Sequence, residues 1–183
     1  MIAGLGNIGP EYENTRHNIG FTVVEYLASR FDVSFESSRL ASVAHFKIKG
    51  RSITLIKPTV YMNNSGKSVH YWLNHLHIKD YNFIVVTDDI ALPFGKLRIK
   101  PQGSSGGHNG LKSLEQHLSS SVYPRMRIGI GNNFPKGGQA NFVLGKFTSD
   151  ESALISSYLE KACDALLCFC TMDIGAAMNL YNA

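Results

Sequence analysis

The chain reads as an α/β protein, a single domain with a twisted, mixed β-sheet flanked by helices on both faces. Three observations predict this. Short apolar, β-branched runs alternate along the chain with stretches of helical period. Two of those runs are joined by only Lys49, Gly50 and Arg51, which makes a hairpin and so an antiparallel part of the sheet. No linker or break in composition divides the 183 residues, a length suited to one hydrophobic core.

Taken in order, residues 1–3 end a first short strand. Residues 19–31 carry Ile19, Val23, Val24, Leu27 and Phe31 near a 3.6-residue period and predict a helix. Residues 42–48 and 52–57 are the hairpin strands. Residues 65–76 repeat the helical pattern with Val69, Trp72, Leu73 and Leu76. Strands follow at 82–87 and 96–99, then a helix at 109–118 with Leu111, Leu114 and Leu118 on one face, then a strand at 126–130. Thr148 and Glu151 form a capping box that opens a long helix towards Cys170, and residues 173–181 suit a last short helix.

Composition narrows the function classes. An apolar share of 44% and a charged share of 17% are those of an ordinary globular domain, neither disordered nor repetitive. The start carries no basic leader, and the longest apolar stretch, near residues 165–172, is about half of a membrane span. A cytoplasmic protein is expected. Cys163, Cys168 and Cys170 are odd in number and lie in one helical segment, so buried thiols are expected rather than a disulfide framework. The overall charge is +4, unevenly spread. Residues 95–146 hold eight basic side chains (Lys96, Arg98, Lys100, Lys112, Arg125, Arg127, Lys136 and Lys146) against one acid, Glu115, a net of +7 that leaves the remainder at −3. Such concentration suits either a polyanionic partner or a solvated basic face.

The run GLGNIG at 4–9 matches a dinucleotide fingerprint, but that site needs a helix to open on its last glycines. Here helical periodicity begins only near Ile19, with Glu11 and Glu13 intervening, which argues against a nucleotide.

Four loop segments collect polar groups. They are Asn7 with 15–18 (TRHN), 61–66 (YMNNSG), 87–89 (TDD) and 103–110 (GSSGGHNG). Each alone has a structural reading: Asn18, Asn64 or Ser65 as helix caps, Asp88 and Asp89 as a strand end, the glycines as turn formers. Together, one histidine, one aspartate and several asparagines are what ester hydrolysis by activated water requires. The imidazole takes a proton from water, a carboxylate fixes its tautomer, and amides donate to the oxyanion without titrating. No H-E-x-x-H zinc pattern is present.

These residues resemble the bacterial-type peptidyl-tRNA hydrolase family over nearly the whole chain. The resemblance is carried by GLGNIGPEYENTRHNIGF at 4–21, KPTVYMNNSGKSV at 57–69, VVTDDIALPFGKLRIK at 85–100, GSSGGHNGLKS at 103–113, RMRIGIG at 125–131 and FVLGKF at 142–147. It implies a monomeric α/β enzyme, without metal or cofactor, that cleaves the ester joining a peptide to the 3′ ribose of tRNA. His17 would be the general base and Asp88 its orienting partner. Asn7 and Asn63 would hold the carbonyl and the water, and Asn109 water or peptide backbone. His108 would stand in a mobile wall of the cleft. Tyr12 would contact the 3′-terminal region, with Tyr61 among the substrate-binding residues. Lys100 and Arg127 would hold tRNA phosphates, with Arg125 and Lys112 as weaker contacts. Three departures are visible. Ile8 replaces a proline and should loosen the loop that presents Asn7. Ala91 replaces a second strand-end acid, and Asn132 with Asn133 replace an arginine and proline. An RNA-binding domain of the same fold without catalysis is the rival reading.

Overall fold

The computed structural model describes residues 1–79 and 82–182. Seven strands form one sheet: β1 (Ile2–Gly4), β2 (Glu36–Ser38), β3 (Ala41–Ile48), β4 (Arg51–Pro58), β5 (Ile84–Asp89), β6 (Leu97–Lys100) and β7 (Arg125–Gly129). Among the described residues six α-helices accompany them: α1 (Ile19–Arg30), α2 (Ser65–His75), α3 (Asn109–Leu118), α4 (Gln139–Val143), α5 (Ser149–Thr171) and α6 (Ile174–Tyr181). The strand order is β2-β3-β4-β1-β5-β7-β6. The pairs β4–β1, β1–β5 and β5–β7 are parallel, and the pairs nearer the edges are antiparallel. The mixed sheet expected from the hairpin and the alternation is therefore present.

Both faces of the central strands are buried, which explains their continuous apolar runs. Successive side chains point to opposite sides. Ile2, Leu55, Ile84 and Val86 enter the core beneath α1, α5 and α6. Their neighbours Ala3, Ile56 and Val85 enter a second core beneath α2 and α3 with Trp72, Leu111 and Leu114. The register matches, since Ile2 stands beside both Leu55 and Ile84. All three cysteines are buried and unpaired, as expected. Thr148 and Glu151 form the expected capping box at the start of α5.

Gly4 of the fingerprint and Gly20 have a packing reason. A Cβ on Gly20 would lie 2.5 Å from Leu5 N and from Val86 O, and one on Gly4 would overlap the Gly20 carbonyl. The start of α1 thus rides directly on the ends of β1 and β5. This close approach sets the 3-10 turn Arg16–Asn18, just ahead of α1, against the carboxyl ends of those strands. Two elements were not anticipated: β2, whose residues are all exposed, and α4, which buries none of its side chains.

Candidate active site

The carboxyl ends of the parallel strands open into a cleft of about 550 Å³, the place where open α/β sheets put their sites. Asn7 follows β1, Asp88 and Asp89 end β5, and Met62 and Asn63 lie in a 3-10 turn between β4 and α2. His17 stands in a second 3-10 turn, Arg16–Asn18, and Ser105 to Asn109 lead into α3. The residues Gln139, Ala140, Val143 and Leu144, on α4 and just after it, close the opposite wall.

Asp88 is 4% exposed and binds two histidines through one oxygen. His17 Nδ1 and His108 Nε2 each lie 2.9 Å from its Oδ1, and Thr87 Oγ1 is 2.6 Å from the same His108 nitrogen. Burial opposes the charge of this carboxyl. The two imidazoles, His108 more than His17, outweigh that and hold it well below the usual carboxylate range.

The two histidines are not equivalent. His108 is the N-cap of α3, and its Nδ1 accepts from Gly110 N at 3.1 Å and Leu111 N at 3.3 Å. An accepting Nδ1 places the ring proton on Nε2, which donates to Asp88, so both nitrogens of His108 are engaged. His17 donates from Nδ1, and its Nε2 keeps a lone pair beside the cleft. Of the pair, only His17 is arranged to accept a proton. The same reasoning bears on metals. Among the described residues, His17, Asp88 and His108 form a group whose possible ligand atoms lie within 4.8 Å of one another. A ligating His108 Nε2 would need its proton on Nδ1, against two backbone N–H groups, so the trio suits a proton network and not an ion.

Asn7 is held on three sides. Its N–H donates to Asn18 Oδ1 at 2.8 Å, its carbonyl accepts from Asn18 Nδ2 at 3.0 Å, and its own Oδ1 accepts from Met62 N at 2.8 Å. The last bond leaves the Nδ2 amide as the donor available to the cleft. This clamp offsets the loosening expected at Ile8. Asn18 was read as a possible side-chain cap of α1; it makes no such cap bond and braces Asn7 instead. Asn63 and Asn109 are exposed and line the cleft, Asn109 as the first residue of α3. At Ala91 the backbone N–H donates to Asp89 Oδ1 at 2.8 Å.

The remaining expected residues divide. The Tyr12 and Tyr61 rings meet edge to face at 6.4 Å, and Tyr61 is 53% exposed beside Met62 and Asn63. Lys100, at the end of edge strand β6, and Lys112, on α3, are exposed. Arg127 lines the cleft, but its guanidinium pairs with Asp89 at 3.0 Å and donates to the Ser104 carbonyl, tying down the glycine-rich loop. Arg125 is a correction. It is fully buried, stacked 4.1 Å over Tyr123 and donating to the carbonyls of Ser104 and Ser121, so it cannot reach a phosphate. His108 lines the cleft, as expected, and is also bonded to Asp88 and Thr87. Sequence reasoning gave no role to Thr87, Asp89 or Arg16. All three adjoin the named residues in the polar segments, which was the available signal.

Comparison with known proteins agrees with this fold. The family model described as peptidyl-tRNA hydrolase matches residues 1–183. A peptidyl-tRNA hydrolase of Cytophaga hutchinsonii is 50% identical over 182 residues, covering 100% of this chain and 97% of its own. One from Phocaeicola vulgatus is 48% identical with the same coverage. The crystal structure of peptidyl-tRNA hydrolase from Acinetobacter baumannii superposes with a TM-score of 0.93 at 34% identity, over 100% of this chain and 93% of that one.

Proposed function

The chain belongs to the peptidyl-tRNA hydrolase family, and from that premise we propose that its cleft hydrolyses the ester between a peptide and the 3′ ribose of tRNA with a water activated by His17. The observation that carries this reading is the asymmetry at Asp88. One of its two imidazoles is locked at both nitrogens, and the other keeps a free Nε2 at the cleft.

In the forward reaction His17 Nε2 removes a proton from water as the oxygen attacks the ester carbonyl. Asp88 steadies the imidazolium that forms, as the aspartate does in a hydrolytic triad. The amides of Asn7 and Asn63 donate to the carbonyl oxygen as it becomes an oxyanion, which raises no competing titration, and Asn109 holds water or the peptide backbone. Collapse of the tetrahedral intermediate breaks the bond to the ribose oxygen. The proton on His17 passes to that oxygen, giving free peptide and a tRNA with its hydroxyl restored. No covalent enzyme intermediate and no cofactor are needed. The acceptor end would lie along Tyr12 and Tyr61, and the exposed Lys100 and Lys112 would meet phosphates. We place the protein in the cytoplasm as a monomer that returns tRNA to translation.

Release of the blocked amino acid from an N-acetyl-aminoacyl-tRNA tests the reading, with His17→Ala alongside. The variant should turn over slower by a factor on the order of 10² to 10⁴ while still binding tRNA. Equal rates would remove His17 from the mechanism. No release by a folded, tRNA-binding wild type would favour an RNA-binding domain without catalysis.

A further inference from the structure

We propose that Arg16 is a positioning residue that fixes the far wall of the cleft to the catalytic turn, so that the surface receiving the peptide moiety is set relative to His17. The inference rests on the function proposed above.

The wall poses a physical question. The helix α4 has five residues and buries none of them, far too little to hold a helix by itself. Yet Gln139, Ala140, Val143 and Leu144 line the cleft. Arg16 supplies much of the hold. Its backbone N–H donates to the Gly145 carbonyl at 2.9 Å. Its Nη1 donates to Lys146 O at 2.7 Å and reaches Phe142 O at 3.5 Å. These carbonyls stand at and just beyond the end of α4, where helices leave acceptors unsatisfied and where a cation is favoured. The guanidinium plane lies 4.4 Å from the Phe142 ring and 5.4 Å from that of Phe147. Next to it, Thr15 bridges to Lys146.

The other fork of the guanidinium reaches α5. Arg16 Nη2 pairs with Glu151 Oε2 at 2.7 Å, and the same oxygen accepts Thr148 N at 2.7 Å to complete the capping box. One side chain, 7% exposed, therefore joins the end of α4 to the start of α5. Arg16 and His17 are consecutive in one 3-10 turn, and His17 is tied to Asp88 in turn. The wall and the general base are thus anchored at adjacent residues. A lysine has one donor centre where arginine has a planar fork, so it cannot make both sets of bonds.

The test uses Arg16→Gln, Arg16→Lys, Glu151→Gln and the Arg16→Gln/Glu151→Gln double variant. Three quantities are measured: kcat and KM for an N-acetyl-aminoacyl-tRNA, binding of deacylated tRNA, and hydrogen exchange of residues 139–147 in the free protein. In Arg16→Gln, KM should rise roughly 10- to 100-fold, the worth of a charge-assisted hydrogen bond, with a smaller change in kcat. Exchange at 139–147 should quicken while that of β5 does not. Deacylated tRNA binding should be unchanged, because the function proposed above gives the phosphates to Lys100 and Lys112, outside the wall. Arg16→Lys should recover part of the KM, and Glu151→Gln should add little to Arg16→Gln in the double variant. Unchanged exchange at 139–147, or a lowered Tm with KM unaltered, would overturn the proposal. Should Arg16→Gln fail to fold, Glu151→Gln with its KM and exchange carries the same decision. If the wild type releases no product, the proposed function fails, and exchange in the free protein still decides whether Arg16 holds the wall.

Discussion

Asparagine at position 88 would separate the charge of the carboxylate proposed to steady His17 from its geometry. His17 and His108 both donate to the same oxygen of Asp88 at 2.9 Å. An amide carbonyl in that place can accept both bonds and keep both tautomers. What Asp88→Asn removes is the negative charge facing His17 once it carries the water's proton. Charges about 4 Å apart attract by about 4 kcal/mol at an effective dielectric constant near 20. With about 1.4 kcal/mol per decade of rate, kcat should fall by about 10²- to 10³-fold. Asp88→Ala also deletes the acceptor and frees the His17 tautomer, so it should cost roughly tenfold more. The assay is initial-rate release from N-acetyl-aminoacyl-tRNA at saturation, on variants shown to be folded. A loss below tenfold in Asp88→Asn would refute the electrostatic role, and equal losses in both variants would refute the shared-oxygen geometry. The same charge has a signature in stability. The carboxyl titrates below its ordinary 3.8 in the folded protein, so its stabilisation is complete above that pH and is lost as pH falls through the lower, folded value. The Tm gap between wild type and Asp88→Asn should therefore narrow below about pH 4. A gap that keeps widening there has the wrong sign.

Arg125→Ala should lower stability by about 2–4 kcal/mol, through two lost carbonyl bonds and the Tyr123 stack, without altering the salt dependence of tRNA binding; scanning calorimetry and a salt titration check it, and the converse pattern would restore Arg125 as a phosphate contact. Lys100→Ala should leave Tm in place and reduce the slope of log K against log salt by about one; an unchanged slope removes Lys100 from the RNA face. Burial pushes the Cys163 thiol up to about 12 and the Cys170 thiol up to about 11, so neither should react with iodoacetamide at pH 8 until denaturant is added; fast labelling of either in the native state would contradict its burial.

What was legible in the sequence follows from where burial leaves a pattern. Val23, Val24 and Leu27 on α1, or Leu111 and Leu114 on α3, repeat because one face of each helix is inside. The strand β2 and helix α4 bury nothing, and so carry no apolar period to read. For the site, the residue types were visible but their partners were not. His17 and Asp88 are 71 positions apart, and they meet because β1 lies beside β5 and the start of α1 sits on both. That adjacency is a property of strand order, which periodicity does not encode. Charge was similarly silent about depth. Lys100 and Arg125 are register partners across β6 and β7. One ends an exposed edge, while the other is covered by Tyr123 and the loop at Ser104.

The division of labour between the two histidines comes from the backbone and not from the imidazoles. A helix begins with N–H groups that lack intrahelical partners, and such an end ordinarily attracts an anion. At α3 two of those donors, Gly110 N and Leu111 N, are taken by His108 Nδ1. Those two donors at the start of α3 are thereby withdrawn from anion binding. His108 is also withdrawn from proton acceptance, since the cap fixes the ring proton where Asp88 receives it. His17 sits in a turn whose own helix, α1, takes no bond from its ring, and its second nitrogen stays available. Arg127, tied to Asp89 and the Ser104 carbonyl, holds the same loop from the other side. Which histidine keeps a free nitrogen at the cleft is thus decided by which one the neighbouring helix leaves unused.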